Sequence, residues 1–351
     1  MKTYNYLIVG QGLAGTVLAY TLLKRNQSVF VIDDGYKTSA SQVAAGIFNP
    51  ITGMRMVKTW KADLLFPFLQ NFYTDFESFL NTHFFFQKPI YRPFESIAQQ
   101  NHVLGQSAEK SFSNFMNLEN NDEHYKPFVF NEFGGVEIKN GGYIDVGKML
   151  AYFRDFLVKE NLFLATPFDE DKINAEGEIK DLKIRAEKII FCRGFKDRES
   201  KFWSYLPFKA VKGEVLTGKF ESTENLDFEQ IINRQGWVLP LENSIYKVGS
   251  TYEWDKLDSE ITEKAKSDIL EKTHQLIRPH FKASKQEAGI RPATADRFPL
   301  MGLHKIYPNI GIFNGLGTKG VSIAPYFANH FADYLIENKA LDKEVSIARC
   351  S

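Results

Sequence analysis

The residues best placed to bind a ligand are three glycines, at positions 10, 12 and 15 of the segment GQGLAG. Gly10 permits a tight turn, Gly12 lets the main chain approach a pyrophosphate, and Gly15 lets a helix pack close to the preceding strand. A helix that opens at Leu13 and Ala14 would present free N–H groups and the positive end of its dipole to phosphates. The spacing therefore predicts a dinucleotide site.

An acidic pair follows where a partner for a ribose is expected. Residues 4–9 and 28–32 are apolar and indicate buried strands on either side of a helix at 13–25. Asp33 ends the second strand, where its carboxylate can accept hydrogen bonds from ribose hydroxyls, and Asp34 is the neighbouring candidate. Strand, glycine turn, helix and strand form the βαβ unit of a Rossmann-like domain. NAD(P) and FAD share this fingerprint, so the motif alone leaves both open.

The remaining pattern predicts a second domain. Segments of alternating apolar and polar residues indicate an antiparallel sheet, at 208–218, 228–233, 236–241 and 244–251. The stretch from Gly289 to Gly302 is interpreted as a loop. Helices are expected at about 61–80, within 141–160, and at 260–278 and 321–337.

Composition places the chain among globular proteins. Its 351 residues are 44% hydrophobic, and 43 basic residues balance 43 acidic ones, so no basic excess points to nucleic acid. The two cysteines and seven histidines show no metal-ligand spacing, so we expect no metal site. No apolar stretch is long enough to span a bilayer. We expect a cytoplasmic protein, and the sequence predicts no oligomeric state.

These motifs together resemble the D-amino-acid oxidase superfamily, which includes glycine oxidase, sarcosine oxidase and the oxidase half of a tRNA wobble-uridine modification enzyme. The most specific match is GIRPATADRFPLMG at 289–302, which follows the pattern G-x-R-P-x-T-x-D-x-x-P-x-x-G. The resemblance spans nearly the whole chain and is weakest at about 84–130. It implies FAD as cofactor. Arg291 stands near the position where sarcosine oxidases carry a flavin-linked cysteine, which implies that FAD binds without a covalent link.

The resemblance also implies further cofactor residues. The small residues of SQVAAGIFNP would let the main chain run close to the flavin, and the glycine that ends EKIIFCRG would lie near the adenine. The turn GLGTKG would bring N–H groups to the flavin, and the helix after it would stabilise negative charge on the reduced ring. The implied residues are Ser41, Ala44, Ala45, Gly46, Gly194, Gly315, Gly317, Thr318, Lys319 and Gly320.

Five side chains are implied in or near the catalytic site. Arg291 falls where relatives hold a substrate carboxylate, a role that suits a planar guanidinium, although an ion pair with Asp296 or Glu287 is the alternative. Trp237 replaces an active-site tyrosine of glycine oxidase and forms either an aromatic wall or part of the core. Lys319 adds charge beside the flavin or is solvated. In GMRMVK, Arg55 is implied near the flavin, and Lys58 near the substrate acid.

We therefore predict an α/β fold with two interleaved domains. A Rossmann-like FAD-binding domain comprises 1–80, 141–205 and 286–351. An α+β substrate domain that contains the antiparallel sheet comprises 81–140 and 206–285.

The function that the resemblance implies is that of an FAD-dependent oxidoreductase acting on a small-molecule amine or amino-acid-like substrate. Hydride would pass to flavin N5, and water would hydrolyse the resulting imine. Three alternatives stay open: a flavin dehydrogenase for a 2-hydroxy acid with an electron acceptor other than oxygen, a tRNA-modification oxidase, and a flavin-binding protein without turnover. The balanced charge and the lack of a methyltransferase half disfavour the tRNA alternative.

Overall fold

The computed structural model describes residues 1–35, 39–107, 109–118, 122–174, 177–221 and 228–350. The helices are α1 Leu13–Lys24, α2 Ala40–Val43, α3 Ala62–Leu80, α4 Ile97–Ser107, α5 Lys110–Ser113, α6 Asp122–Tyr125, α7 Val146–Lys159, α8 Glu263–His274 and α9 Gly320–Glu337. The strands are β1 Lys2–Val9, β2 Val29–Asp33, β3 Ile47–Phe48, β4 Ile51–Thr52, β5 Val57–Lys58, β6 Phe85–Gln87, β7 Ile90–Pro93, β8 Met116–Asn117, β9 Gly135–Ile138, β10 Gly142–Ile144, β11 Phe163–Ala165, β12 Glu178–Ile179, β13 Ile184–Phe191, β14 Val211–Glu221, β15 Ile231–Arg234, β16 Gly236–Pro240, β17 Tyr246–Gly249, β18 His280–Arg291, β19 Leu300–Leu303 and β20 Ile310–Asn314.

The first sheet has the order β11-β2-β1-β13-β20-β19, and all its neighbours on this path are parallel except β19 and β20. Its central strands are buried on both faces toward their carboxyl ends, and there their sequences are continuous apolar runs, YLIV in β1, VFVI in β2 and IIF in β13. Helices α1 and α9 pack against each other on one face of this sheet. The carboxyl ends of β1, β2, β13 and β20 therefore meet at one edge, followed by the two glycine turns.

Helix α9 contains an internal proline whose cost is offset by a neighbouring helix. Pro325 has no N–H to donate to the carbonyl of Val321 in the preceding turn. The hydroxyl of Tyr73, on α3, donates to that carbonyl at 2.8 Å instead. The contact joins α3 to α9 and gives the carbonyl of Val321 a hydrogen-bond donor in place of the missing one.

The second sheet has the order β18-β14-β17-β16-β15-β7-β9-β8 and is antiparallel except where β15 pairs with β7. Strands β14 and β18 pair along almost their full lengths, and α8 packs against them. A Rossmann-like sheet together with a separate antiparallel-rich sheet confirms the predicted α/β fold class. The domain boundaries stay a prediction, with β18 crossing the boundary expected at 286.

The loop predicted from Gly289 to Gly302 is confirmed for residues 292–299 and was wrong at both ends. Its beginning is the end of β18, and residues 300–303 form β19. Strand β18 lies at the edge of its sheet and reads HFKASKQEAGIR, with many polar residues and few β-branched ones. Sequence signals for a buried strand are weak at such an edge because one side of the strand faces solvent. The correction matters because it places Arg291 at the end of a strand.

A buried charge network fixes the loop after β17 onto β14. Glu214 is only 2% exposed, and its carboxylate accepts from the N–H and the hydroxyl of Thr262, both at 3.0 Å, and from Nε2 of Gln286 at 2.7 Å. On the same strand the buried Lys212 donates to Asp258 at 2.6 Å. The later part of the loop is thus held, at Asp258 and Thr262, by two charged side chains of β14 that are themselves buried.

Replacing Glu214 with Met is expected to lower the free energy of unfolding by roughly 2–4 kcal/mol, because several buried donors would lose their acceptor. Urea unfolding measures the change. Glu221→Ala is the matched control, since Glu221 lies on the same strand but forms only an exposed ion pair with Lys282 at 3.8 Å. Equal losses in the two variants would contradict the assignment of a structural role to the buried network.

No helix in the described part of the chain is both long enough and apolar enough to cross a membrane.

Candidate active site

A cavity of about 1140 Å³ is lined by residues from both sheets. This volume exceeds the roughly 300–1,000 Å³ of pockets for drug-sized ligands, so a dinucleotide and a small substrate can share it. Both glycine turns open into it. The predicted site residues that line it are Gly10, Gly12, Leu13, Ala14, Asp33, Asp34, Ser41, Ala44, Ala45, Gly46, Gly194, Trp237, Arg291, Gly317, Thr318, Lys319 and Gly320.

The first glycine turn is held by close backbone contacts. Gly10 has φ +102°, and a Cβ there would lie 2.6 Å from the carbonyl oxygen of Cys192. Gly15 does not line the cavity: a Cβ on it would lie 1.8 Å from the carbonyl oxygen of Gly10, so its role is to let α1 sit against the turn. The N–H of Leu13 donates to Oγ of Ser41 at 3.0 Å, which joins the helix start to the segment after β2.

Asp33 lies at the end of β2, directly beside the turn. Its Oδ2 accepts from the N–H of Gln11 at 2.7 Å, and its Oδ1 accepts from the N–H of Gly35 at 2.8 Å and from Arg154 at 3.0 Å. Arg154, on α7, also donates to the side chain of Gln11 at 2.5 Å and lines the cavity. No local sequence pattern marks Arg154, because its partner Asp33 lies 121 residues away. Asp34 points to Lys196 instead, at 2.5 Å.

The second turn is tied to the end of β13 through Asn314. The side-chain amide of Asn314 donates to the carbonyl of Gly194 at 2.8 Å and to the carboxylate of Asp197 at 2.7 Å, and its Oδ1 accepts from the N–H of Gly315 at 2.8 Å. Burial raises the pKa of Asp197, an effect opposed by Arg193 beside it. Gly315 does not line the cavity. It packs against Thr294, to which a Cβ on Gly315 would approach within 2.9 Å.

The two helix starts meet at the cavity. A Cβ on Gly320 would lie 2.8 Å from the side chain of Leu13. Helix α9 begins without a side-chain cap, so its first N–H groups are available to an acceptor. Nζ of Lys319 lies 3.3 Å from Oγ1 of Thr52 and 3.5 Å from Oγ1 of Thr59. The pKa of Lys319 is lowered, mainly by desolvation and to a smaller extent by repulsion from Arg297.

The segment after β2 is held between β10 and the antiparallel sheet. Gly46 has φ +69°, and a Cβ there would lie 1.9 Å from the carbonyl oxygen of Ile144. From the antiparallel sheet, Nζ of Lys247 donates to the carbonyl of Val43 at 2.8 Å and to that of Ala44 at 3.4 Å. Desolvation lowers the pKa of Lys247. No local sequence pattern marks Lys247, because its partners lie about two hundred residues away.

Arg291 brings an uncompensated charge into the cavity. Its Nη1 donates to the carbonyl of Thr251 at 3.2 Å, its Nη2 donates to Oγ of Ser250 at 3.1 Å, and the ring of Tyr252 lies 4.8 Å from its guanidinium carbon. Burial lowers the pKa of Arg291. No carboxylate of the described residues forms an ion pair with it.

The two acids that offered an alternative partner to Arg291 are engaged elsewhere. Asp296 pairs with Arg349 at 2.8 Å, and Glu287 pairs with Lys285 at 2.7 Å. The structural ion pair considered from the sequence is therefore not formed.

Both basic residues of GMRMVK, Arg55 and Lys58, lie outside the cavity. Arg55 is exposed in the turn between β4 and β5, and it does not line the cavity. Lys58 pairs with Asp63 at 2.5 Å. The loose match to sarcosine oxidase had implied positions near the flavin and the substrate acid. In the β4–β5 hairpin neither side chain reaches the cavity.

A different arginine, Arg92 on β7, does line the cavity. It is 5% exposed and donates to the carbonyls of Ile51 at 3.1 Å and Gly53 at 3.0 Å, so it holds the β4–β5 hairpin. Burial lowers the pKa of Arg92 to about 10. Its Nε has no hydrogen-bond partner among the described residues. An arginine inside the apolar segment IYRPF was the signal in the sequence.

Trp237 belongs to the wall of the cavity and to the core at once. It lies on β16 opposite Gly249, where a Cβ would approach the indole to 2.8 Å. Its ring packs against the main hydrophobic core while one side lines the cavity.

The shape and the polar groups of this cavity fit FAD. Glycines leave open the space beside the turns, the Asp33 carboxylate lies beside the first turn at the end of β2, and the starts of α1 and α9 border the cavity.

Comparison with known proteins agrees with this reading. Residues 5–334 match the DAO family, described as FAD dependent oxidoreductase. A tRNA 5-methylaminomethyl-2-thiouridine biosynthesis bifunctional protein MnmC from Leptospira borgpetersenii is 25% identical over an alignment of 371 positions, gaps included. The alignment covers 90% of this chain and 54% of that protein. The bifunctional protein ThiO/ThiG of Nostoc is 24% identical over an alignment of 362 positions, which covers 96% of this chain and 53% of that protein. The chain thus spans about half the length of the curated relatives it matches.

Solved structures share the fold at low identity. Glycine oxidase from Geobacillus kaustophilus superposes with a TM-score of 0.77 at 15% identity, covering 100% of this chain and 98% of that one. Iminodiacetate oxidase from Chelativorans superposes with a TM-score of 0.77 at 17% identity, covering 99% and 98%. Because the family match extends over nearly the whole sequence and the fold agrees, this chain belongs to the DAO family of FAD-dependent oxidoreductases.

Proposed function

We propose that the protein oxidises an amine that also carries a carboxylate, such as an amino acid, with FAD bound non-covalently. The observation that carries this proposal is Arg291, a largely buried guanidinium in the cavity with no acidic partner among the described residues. A buried cation without a counter-ion is costly, and a ligand carboxylate removes that cost through paired N–H···O bonds. Glycine oxidase and iminodiacetate oxidase, which share the fold, are named for substrates of this chemical class.

The residues around the first turn would hold the nucleotide part of FAD. Gly10, Gly12 and the start of α1 would receive the pyrophosphate, and Asp33 would accept from the ribose. The start of α9, with Lys319, would place positive charge beside the ring. Bound FAD supplies the hydride acceptor, and the substrate leaves as an imine that water hydrolyses.

The contribution of the protein to the reaction is orientation and exclusion of water. Arg291 would fix the carboxylate, and the walls formed by Trp237 and Tyr252 would shield the substrate carbon from solvent. An amine that binds in its neutral form needs no dedicated base, and we assign none.

A substrate screen with the purified protein tests this function. We expect a yellow protein whose flavin absorbance bleaches anaerobically when an amino acid of the right size is added. Release of hydrogen peroxide in air would identify an oxidase, whereas turnover only with a dye acceptor would identify a dehydrogenase. A colourless protein that takes up no added FAD, or bleaching by hydroxy acids but by no amine, would refute the proposal.

A second candidate substrate is an amine carried on a tRNA nucleoside. It is favoured by the MnmC relatives, which align with 90–97% of this chain in their longer matches. Bleaching by tRNA purified from cells deleted for this gene, and not by tRNA from the parent cells, would support it. Equal spectra with both tRNA preparations would exclude it.

Gly213→Ala provides a prediction for the carboxylate site that leaves Arg291 itself unchanged. A Cβ on Gly213 would lie 2.1 Å from Nη2 of Arg291, so the guanidinium must leave its position. We expect the KM for a carboxylate substrate to rise about tenfold or more while the flavin content stays the same. Steady-state kinetics and visible absorbance measure the two quantities. An unchanged KM would mean that the position of Arg291 is irrelevant to the substrate.

A further inference from the structure

The guanidinium of Arg291 is held in place by groups that carry no negative charge. Its Nη1 donates to the carbonyl of Thr251 at 3.2 Å, and its Nη2 donates to Oγ of Ser250 at 3.1 Å. A Cβ on Gly213 would lie 2.1 Å from Nη2, 2.2 Å from Cζ and 2.3 Å from Nη1. Because these three distances are nearly equal, one face of the guanidinium lies against the main chain at Gly213. The group is thus partly ordered before any ligand binds.

The ring of Tyr252 covers a second side of the same guanidinium. Its centroid lies 4.8 Å from Cζ of Arg291, in the geometry of a cation–π contact, and both residues line the cavity. Outside the cavity, Trp254 stacks on the Tyr252 ring, with the two centroids 6.1 Å apart and the planes 22° apart. A π face attracts the cation without neutralising it, so the positive charge stays available to a ligand.

Both sequence neighbours of Tyr252 are hydrogen-bonded to β14. Glu253 exchanges two backbone hydrogen bonds with Lys212, at 2.8 and 2.9 Å. Oγ1 of Thr251 accepts from the N–H of Glu214 at 2.9 Å. These two partners are the residues on either side of the glycine that lies under the guanidinium. The backbone pairing therefore fixes the ring beside that glycine.

We propose that Tyr252 is a positioning residue for the carboxylate site, whose ring holds the Arg291 guanidinium against Gly213 in the orientation that binds the substrate. This inference rests on the proposed function and adds a residue to its carboxylate site. A guanidinium that is free to rotate would lose conformational freedom when the carboxylate binds, and this loss would weaken binding. The ring carries the role rather than the hydroxyl, because the face of the ring meets the guanidinium.

The test uses the holoenzyme and methoxyacetate, a carboxylate without an amine, whose dissociation constant is read from perturbation of the flavin spectrum. Tyr252→Leu is expected to raise this constant about tenfold, equivalent to about 1.4 kcal/mol, which lies within the range of a cation–π contact. Tyr252→Phe keeps the ring and should stay within about twofold of the wild type. Tyr205→Leu is the matched control, because Tyr205 is 51% exposed but does not line the cavity, and it should bind methoxyacetate like the wild type.

Kinetics and a double variant separate positioning from general damage. With the amino acid identified in the screen, Tyr252→Leu should raise KM about tenfold and leave kcat nearly unchanged. Added to Arg291→Met, Tyr252→Leu should have no further effect on the dissociation constant of methoxyacetate, because the ring acts only through the guanidinium.

The outcomes distinguish this inference from the proposed function. If Arg291→Met leaves the dissociation constant of methoxyacetate unchanged, the assigned carboxylate site is refuted and the inference falls with it. If Arg291→Met weakens binding but Tyr252→Leu does not, the inference alone is overturned. It is also overturned if Tyr252→Phe weakens binding as much as Tyr252→Leu, which would indicate a direct contact from the hydroxyl, or if the effects of Tyr252→Leu and Arg291→Met are additive.

Discussion

Replacing Arg291 with Met is expected to raise the KM for a carboxylate-bearing substrate on the order of 100-fold and to leave kcat nearly unchanged. Loss of one partner from a buried, hydrogen-bonded charge pair costs roughly 2–5 kcal/mol, and the lower part of that range corresponds to this factor. The carboxylate keeps its charge while the amine-bearing carbon is oxidised, so Arg291 grips it equally before and during the reaction and the loss falls on binding. Steady-state kinetics with the substrate identified in the screen measures both constants.

Two controls separate loss of the grip from general damage. Arg291→Lys keeps the charge but loses the planar fork, and we expect a smaller rise in KM, about tenfold. An amine substrate that lacks the carboxylate should show the same kinetics with Arg291→Met as with the wild type. A large fall in kcat with unchanged KM would instead place Arg291 at the reacting centre.

Gly15→Ala is expected to abolish retention of FAD during purification. The added Cβ would lie 1.8 Å from the carbonyl oxygen of Gly10, and backbone occupies both sides of the contact, so no side-chain rotation relieves it. Helix α1 must move away from the turn, which costs at least the 1–3 kcal/mol typical of overpacking and removes the phosphate cradle. We expect the dissociation constant for FAD to rise at least 100-fold, as measured by titration of the apoprotein with FAD.

Gly105→Ala is the matched control for that substitution. Gly105 lies in α4, and a Cβ there would meet no atom within 4 Å. Alanine favours a helix over glycine by up to about 1 kcal/mol, so this variant should be at least as stable as the wild type and fully yellow. Full retention of FAD by Gly15→Ala would show that the close approach of α1 to the turn is not required for binding.

The sequence was most informative where the signal is local. The βαβ unit, with Gly10 and Asp33 at fixed offsets, follows from periodicity and turn chemistry within about thirty residues. The family-like spacing around Arg291 led to a residue that does line the cavity beside Ser250 and Tyr252. Local patterns of this kind are set by steric demands of the backbone, which leave few residue choices.

The sequence was least informative where partners are distant or where an element is half solvated. Arg154 reaches Asp33 across 121 residues, and Asn314 joins Asp197 across 117, so no window of sequence contains both members. Strand β18 escaped notice because a polar edge strand lacks the apolar run that marks a buried one. Arg55 lies outside the cavity for a related reason. The register of the β4–β5 hairpin sets which of its side chains face inward, and this register cannot be read from so short a segment.

The lysine bridge from the antiparallel sheet has a thermodynamic consequence. Lys247 holds the carbonyls of Val43 and Ala44, and β18 approaches the same segment so closely that a Cβ on Gly289 would lie 3.2 Å from Cα of Ala40. The strand that ends in Arg291 thus packs directly against the segment that we propose to lie beside the cofactor. Linkage is reciprocal: the factor by which a carboxylate ligand tightens the hold on the nucleotide is the factor by which the nucleotide tightens the hold on that ligand.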